Sequence, residues 1–305
     1  MSLDFTTVCA KGQSQAMRLV GRTCLVTGAS GGLGKRIARK FWLEGASLLL
    51  SGRNSAAVQS VADSMPAARR KNQKMVLAVC DFRTPGAVSA LVAKAADAFG
   101  SLTVLVNNAA ALGPIGPLWE NDMETWEQTI RVNLTVPAAL CAFVIPWMQK
   151  NNYGKIVNLS GGGATGPRPR FSAYATAKAG LVRLTEVLAR ETQQMNIDVN
   201  CIAPGIMKTG MLEAILAAGP DQAGANEYAR VQRCAEQADG TFERAVELAA
   251  FLASPESDGI TGRLISAVWD PWETLPGRRA ILDQTDIYTL RRIVPKDRGL
   301  NWDQH

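Results

Sequence analysis

A single histidine, His305, closes the 305-residue sequence. One imidazole at the chain end excludes a multi-histidine metal site and a histidine-based nucleophilic triad. The six cysteines, at 9, 24, 80, 141, 201 and 234, form no C-x-x-C pair. Several lie in apolar runs such as "TCLVTG" and "LAVCDF". They are expected as buried free thiols in a reducing compartment, not as a disulfide frame. No run approaches the ~18 unbroken apolar residues that a membrane helix needs. The N-terminal stretch "MSLDFTTVCAKGQSQAMRLVGRT" lacks a basic start followed by an apolar block, so no secretory signal is expected. A soluble cytoplasmic protein is the expectation.

Basic runs interleaved with aromatics are also missing. The net charge is +6, but Lys35, Arg36, Arg39 and Lys40 form one group and Arg69, Arg70, Lys71 and Lys74 another. Both read as solvated helix faces, and no nucleic-acid partner is expected. The first group follows a glycine-rich turn, where part of it would face a phosphate.

Hydrophobic residues make up 47% of the chain, enough to bury a sizeable core. Short apolar runs at 23–27, 47–51, 75–80, 103–108, 155–160, 198–203 and 263–268 alternate with helical patterns. The helices are expected near 32–44, 55–64, 85–99, 122–149, 172–195 and 241–253. Strands apolar on both faces, alternating with helices, predict a parallel sheet covered on both sides. The fold class is therefore α/β: one doubly wound, Rossmann-type domain with a seven-stranded parallel sheet. The domain is expected over 21–268, after an N-terminal arm, 1–20. Residues 209–240 interrupt the alternation and read as a lid; 269–305 read as a C-terminal extension that docks through its aromatic and aliphatic anchors.

After the first strand comes "TGASGGLGKRIARKF", which fits T-G-x-x-x-G-x-G with Thr27, Gly28, Gly32 and Gly34. Glycines let such a turn adopt positive φ and let backbone approach a pyrophosphate, with Ser30 and Leu33 in the same turn. The following helix would offer its free N–H groups and positive dipole end to the anion. The second strand ends in Gly52 and Arg53, where an NAD-preferring fold usually has a carboxylate. A guanidinium there suits a 2′-phosphate, so NADP (NADPH) is the expected cofactor, with NAD possible. Asp81 and Phe82 end the third strand and Asn108 and Ala109 the fourth. These strand ends form the rim where open α/β sheets bind ligands.

Tyr174 and Lys178 are one helical turn apart in "YATAK". A free phenol, with a pKa of about 10, exchanges protons poorly at neutral pH. A nearby ammonium stabilises the phenolate, and oxidised nicotinamide adds a second positive charge. The pair thus suits a hydride transfer that must also move a proton, and Lys178 would also reach the nicotinamide ribose.

The motifs "TGASGGLG", "NNAA", "RVNL", "YATAK" and "PGIMKT", covering about 21–268, resemble the short-chain dehydrogenase/reductase superfamily. The resemblance implies Tyr174 as acid/base, Lys178 as its electrostatic partner and Asn133 as holder of a relay water. It implies Pro204 and Gly205 as the turn beside the nicotinamide and Thr209 as the contact to its carboxamide. It also implies a homodimer or homotetramer. Family members usually carry a serine thirteen residues before the tyrosine; here that residue is Gly161, and Ser160 lies one residue earlier. Either the loop carries one extra residue and Ser160 takes the role, or a backbone N–H, a water or Ser172 does.

The implied activity is hydride transfer between NADP(H) and a secondary alcohol or ketone. The alternatives are a non-catalytic nucleotide-binding scaffold or sensor, and an epimerase or dehydratase that recycles its cofactor. The small-molecule substrate would meet 111–121, 161–171, 209–240 and the tail. Arg168 and Arg170 hint at an acidic or hydroxyl-rich compound.

Overall fold

The structure is a computed structural model that describes residues 17–236 and 241–302. Cys9, His305, most of the arm and the end of the expected lid lie outside the described residues. Seven strands form one sheet: β1 (Thr23–Val26), β2 (Ser47–Gly52), β3 (Met75–Val79), β4 (Val104–Asn107), β5 (Gly154–Leu159), β6 (Ile197–Ala203) and β7 (Leu264–Ser266). Their order is β3-β2-β1-β4-β5-β6-β7, and every pair is parallel. The order reverses between β1 and β4, which opens a crevice at their C-terminal ends.

Strand alternation sorts the side chains onto two faces. Cys24, Val26, Leu48 and Leu50 face one core, while Leu25 and Leu49 face the other. The first core is closed by α1 (Gly32–Leu43) and α9 (Thr241–Ala253), through Ile37, Phe41, Leu248 and Phe251 among others. The second is closed by α3 (Ala87–Phe99) and α5 (Val136–Lys150), through Leu91, Ala95, Leu140 and Val144. Both faces of the sheet are therefore dry, which explains why the strands read as unbroken apolar runs.

Three other helices frame the crevice. α2 (Ser55–Asp63) starts where Asn54 Oδ1 accepts from the Ala57 N–H at 2.8 Å. α4 (Met123–Ile130) starts the same way, from Asp122 Oδ2 to the Thr125 N–H at 2.8 Å. α6 (Ser172–Glu191) follows the β5 loop.

The single helix expected over 122–149 is divided: a π-turn, Arg131–Thr135, separates α4 from α5. Pro137 has no N–H to give to the Asn133 carbonyl, so the regular i→i−4 bond cannot form there. An 18-residue window within Met123–Lys150 has a mean hydropathy of 1.5, high enough for a membrane helix by length and composition. In the fold, however, Leu140, Cys141 and Val144 are fully buried against the sheet.

The 209–240 region contains two helices, α7 (Gly210–Ala223), kinked at Gly219 where φ is +73°, and α8 (Ala225–Glu236). They close over the start of α6 in a small core of Phe171, Tyr174, Leu212, Ile215 and Val231. Beyond β7 the chain runs through α10 (Arg279–Gln284) along the sheet edge. There Leu264 N–H donates to the Tyr288 carbonyl at 2.8 Å.

Of the described cysteines, 24, 80, 141 and 201 are buried free thiols; Cys234, on α8, is a half-buried free thiol.

Candidate active site

The C-terminal ends of β1 and β4 are braced against each other. Asn108 Nδ2 donates to the Thr27 carbonyl at 2.9 Å and to the Gly28 carbonyl at 3.1 Å. Thr27 Oγ1 accepts from the N–H groups of Asn108 and Ala109, both at 3.0 Å. Gly28 has φ +64°, and a Cβ there would stand 2.9 Å from Ala109 Cα. A Cβ on Gly34 would overlap the Gly28 carbonyl and stand 2.5 Å from Asn108 Nδ2. The motif's glycines and Asn108 thus form one packed turn. The Asn108 side chain is engaged by the turn.

This turn delivers α1 with its N-terminus open. Gly31 supplies no side-chain cap, and the first turn carries no acidic residue. Helix geometry leaves those first N–H groups without intrahelical partners. Leu33 is buried in the first core and Ser30 sits over Gly52 at the end of β2. Thr209 packs on the same helix end, since a Cβ on Gly32 would lie 2.9 Å from its Cγ2. Pro204 is buried and Gly205, with φ +86°, turns the chain from β6 towards Thr209.

Arg53 is exposed at the end of β2. Asp81, across the strand gap, is gripped by Arg83 through Nε–Oδ1 at 3.0 Å and Nη2–Oδ2 at 2.6 Å. These bonds, with Arg53's charge as a smaller contribution, hold its pKa down at about 2. Phe82 is buried, and its carbonyl accepts from Arg131 Nε at 3.0 Å. Arg36, in the basic group after the turn, lies over Phe242 at 3.9 Å.

Tyr174 and Lys178 are both buried on α6. Lys178 Nζ donates to the Leu159 carbonyl at 2.7 Å and lies 5.5 Å from the centre of the Tyr174 ring. Burial dominates both groups in the protein itself. It pushes the Tyr174 phenol above its ordinary value and the Lys178 ammonium down to about 8. Arg168 is the cation that draws the phenol back down. Its guanidinium carbon also lies 5.5 Å from the ring centre. The expected lowering by Lys178 does not emerge: the one group that lowers the phenol is Arg168, and desolvation outweighs it.

Gly161, not Ser160, faces the tyrosine hydroxyl: a Cβ on Gly161 would overlap it. Ser160 Oγ is buried near the Cys201 thiol and makes no hydrogen bond of ordinary geometry. Ser172 Oγ is engaged by Trp126 Nε1 at 3.0 Å. Asn133 is fully buried in the π-turn; its Nδ2 donates to the carbonyls of Ala111 and Thr129, both at 2.8 Å. The side chain thereby clamps the loop after β4 above the crevice.

The short chain dehydrogenase family profile matches residues 22–219. The chain belongs to the short-chain dehydrogenase/reductase superfamily. It is 30% identical over 258 residues to human dehydrogenase/reductase SDR family member 4, covering 85% of this chain and 90% of that protein. It is 33% identical over 255 residues to the 3-oxoacyl-(acyl-carrier-protein) reductase FabG of Thermotoga maritima, covering 82% and 97%. Among solved structures, levodione reductase superposes with a TM-score of 0.74 at 24% identity, covering 85% of this chain and 99% of that one. The fold is that of the superfamily, and the protein is an NAD(P)-dependent oxidoreductase.

The motif residues fall into three places. Gly28, Gly32, Gly34, Asn108, Ala109 and Thr209 gather at the α1 N-terminus. Tyr174, Lys178 and Gly161 gather at the end of β5. Arg53, Asp81 and Phe82 mark the β2–β3 side. The sequence reading missed the Arg168–Glu227 pair, formed at 2.5 Å between the β5 loop and α8. Arg168 stands out in the sequence as one of two arginines in the loop 161–171; its partner Glu227 carries no such signal.

Proposed function

We propose that this short-chain dehydrogenase/reductase transfers hydride between NADP(H) and a secondary alcohol or ketone, with Tyr174 as the general acid/base. The observation that carries the reading is the Tyr174 hydroxyl set against Gly161 at the end of β5. Its ring lies 5.5 Å from Lys178, and Lys178 is fixed by the Leu159 carbonyl.

The residues fit a dinucleotide. An uncapped helix N-terminus with no acid in its first turn follows a turn whose packing excludes side chains. Arg53, exposed at the end of β2, is the group for a 2′-phosphate, and this supports NADP over NAD. Pro204, Gly205 and Thr209 are read as the nicotinamide side of the site.

When bound, the nicotinamide supplies or receives the hydride. In reduction Tyr174 gives its proton to the carbonyl oxygen; in oxidation it takes the proton from the alcohol. A phenol pushed up by burial is protonated at neutral pH and ready as the acid. Lys178, with three donors and one committed to Leu159, can hold a ribose hydroxyl. The Asn133 side chain is spent on the Ala111 loop, so its carbonyl, which Pro137 cannot bond, is the group left to hold a water.

Exposed Phe143 on α5 and Met123 on α4 support assembly of copies through helix faces, as dimer or tetramer. The free thiols support a reducing, cytoplasmic setting. Tyr174→Phe tests the mechanism. Turnover in a screen of ketones and alcohols should fall at least ~100-fold, the scale of general acid/base catalysis, with NADPH binding retained. Unchanged turnover would remove Tyr174 from the reaction.

A further inference from the structure

We propose that Arg168 anchors a carboxylate on the substrate, which makes the substrate an oxo acid or the corresponding hydroxy acid. The inference rests on the hydride-transfer reading above and narrows it. The family profile and the relatives' names assign no such residue.

The glycine run after β5 builds the place for this side chain. A Cβ on Gly162 would meet Arg168 Cδ, Nε and Cζ at 3.7 Å, and one on Gly163 would meet Arg168 Cβ at 3.2 Å. The arginine stem therefore lies along bare backbone. Its guanidinium carbon lies 4.2 Å from the Phe171 ring centre and 5.5 Å from that of Tyr174. The same three residues, Gly161–Gly163, that leave no side chain at the hydroxyl make the bed for a cation beside it.

The charge balance points to an anion. Arg168 donates to Glu227 Oε1 through Nη2 at 2.5 Å and Nε at 3.2 Å. Glu227 is also bound by Arg230, at 2.8 Å to Oε2. Two guanidinium groups thus share one carboxylate, and the trio carries one net positive charge. The side chains of Arg168 and Glu227 are only 12% and 14% exposed, so water screens that end of the trio poorly, while Arg230, 45% exposed, is solvated. An incoming carboxylate can take the planar fork of Arg168 while Glu227 stays with Arg230, and no charge is left unpaired. A neutral substrate would leave the excess charge unmatched. The closeness of Arg168 to the Tyr174 ring places the carboxylate within a few bonds of the reacting carbon. Arg170 differs: its Nη1 donates to the carbonyls of Asp221, at 2.5 Å, and Gln222, so it braces the lid backbone.

The test uses the full chain with NADPH and two pairs of probes: acetoacetate and levulinate, each against its methyl ester. The acid-to-ester ratio of kcat/KM should exceed about tenfold in the wild type. Arg168→Gln should lower it about tenfold, towards one, the loss expected for a charge-assisted hydrogen bond. Arg168→Lys should restore part of it, and Arg170→Gln should not move it. An unchanged ratio in Arg168→Gln would make the Arg168–Glu227 pair a strut only and overturn the proposal. If no acid or ester turns over, the hydride-transfer reading fails separately. Calorimetric titration of the NADPH-loaded protein with levulinate then decides: saturable binding lost in Arg168→Gln supports the anchor, and no binding overturns it.

Discussion

Residue by residue, the site depends as much on a missing atom as on the reactive groups. A Cβ on Gly161 would overlap the Tyr174 hydroxyl and crowd its ring at 3.0 Å. Gly161→Ser, which places a serine where the family usually has one, should therefore push Tyr174 aside. Overpacking of this kind costs about 1–3 kcal/mol. The thermal midpoint should drop by several degrees and turnover should fall rather than rise. A faster Gly161→Ser enzyme would show that the hydroxyl had been the missing part. Ser160→Ala, in contrast, removes a buried hydroxyl whose one polar neighbour is the weakly bonding Cys201 thiol. Its stability should stay level or rise slightly, with turnover close to wild type.

At the scale of elements, the seven strands were legible because the inner ones are buried on both faces, the edge strands keep the same apolar run, and polar turns bound them all. The Tyr174–Lys178 pair was legible because i, i+4 proximity is local to one helix. Two features were not. The run 122–149 shows one apolar pattern, but Pro137 splits it, and the consequence falls on Asn133, four residues away. The lid's helices were masked by Gly210, Gly219 and Gly224, which break the periodicity that a window needs. Arg168 and Glu227 are 59 residues apart, so their pairing depends on how the lid folds back. Arg53 belongs to a strand end, and its test follows from that position. If NADP is the cofactor as proposed, its 2′-phosphate is the group that Arg53 would meet. Arg53→Ala should weaken NADPH by about 10- to 100-fold, as for a lost charge-assisted bond, and NADH by much less. Fluorescence titration of both nucleotides checks this, and equal losses would remove the NADP preference.

Across the whole molecule, the sheet order separates cofactor and tail. Arg53 sits at the end of β2, next to the β3 edge, while β7 forms the opposite edge. That second edge is covered by the chain's own C-terminal segment, which protects it from strand addition. Arg263, buried beside β7, gives Nη1 to the Thr285 carbonyl at 3.0 Å and the Ile287 carbonyl at 2.7 Å, and Nη2 to the Leu282 carbonyl. Trp272 packs on Phe251 with ring centres 5.5 Å apart. Farther along, the Leu290 N–H donates to Glu186 Oε1 on α6 at 2.6 Å, and Arg183 Nη2 donates to the Leu290 carbonyl at 2.6 Å. One guanidinium thus satisfies three carbonyls that water would otherwise have to reach. Arg263→Ala should cost about 3 kcal/mol, at roughly 1 kcal/mol for each lost bond. The tail should then become a substrate for trypsin at Arg278 and Arg279, which limited proteolysis would show. NADPH affinity should change little, since Arg263 bonds only to the tail's carbonyls and to none of the residues proposed to hold the cofactor. A variant with the wild-type melting point and an intact tail would mean that Trp272 and the α6 contacts hold the segment without Arg263.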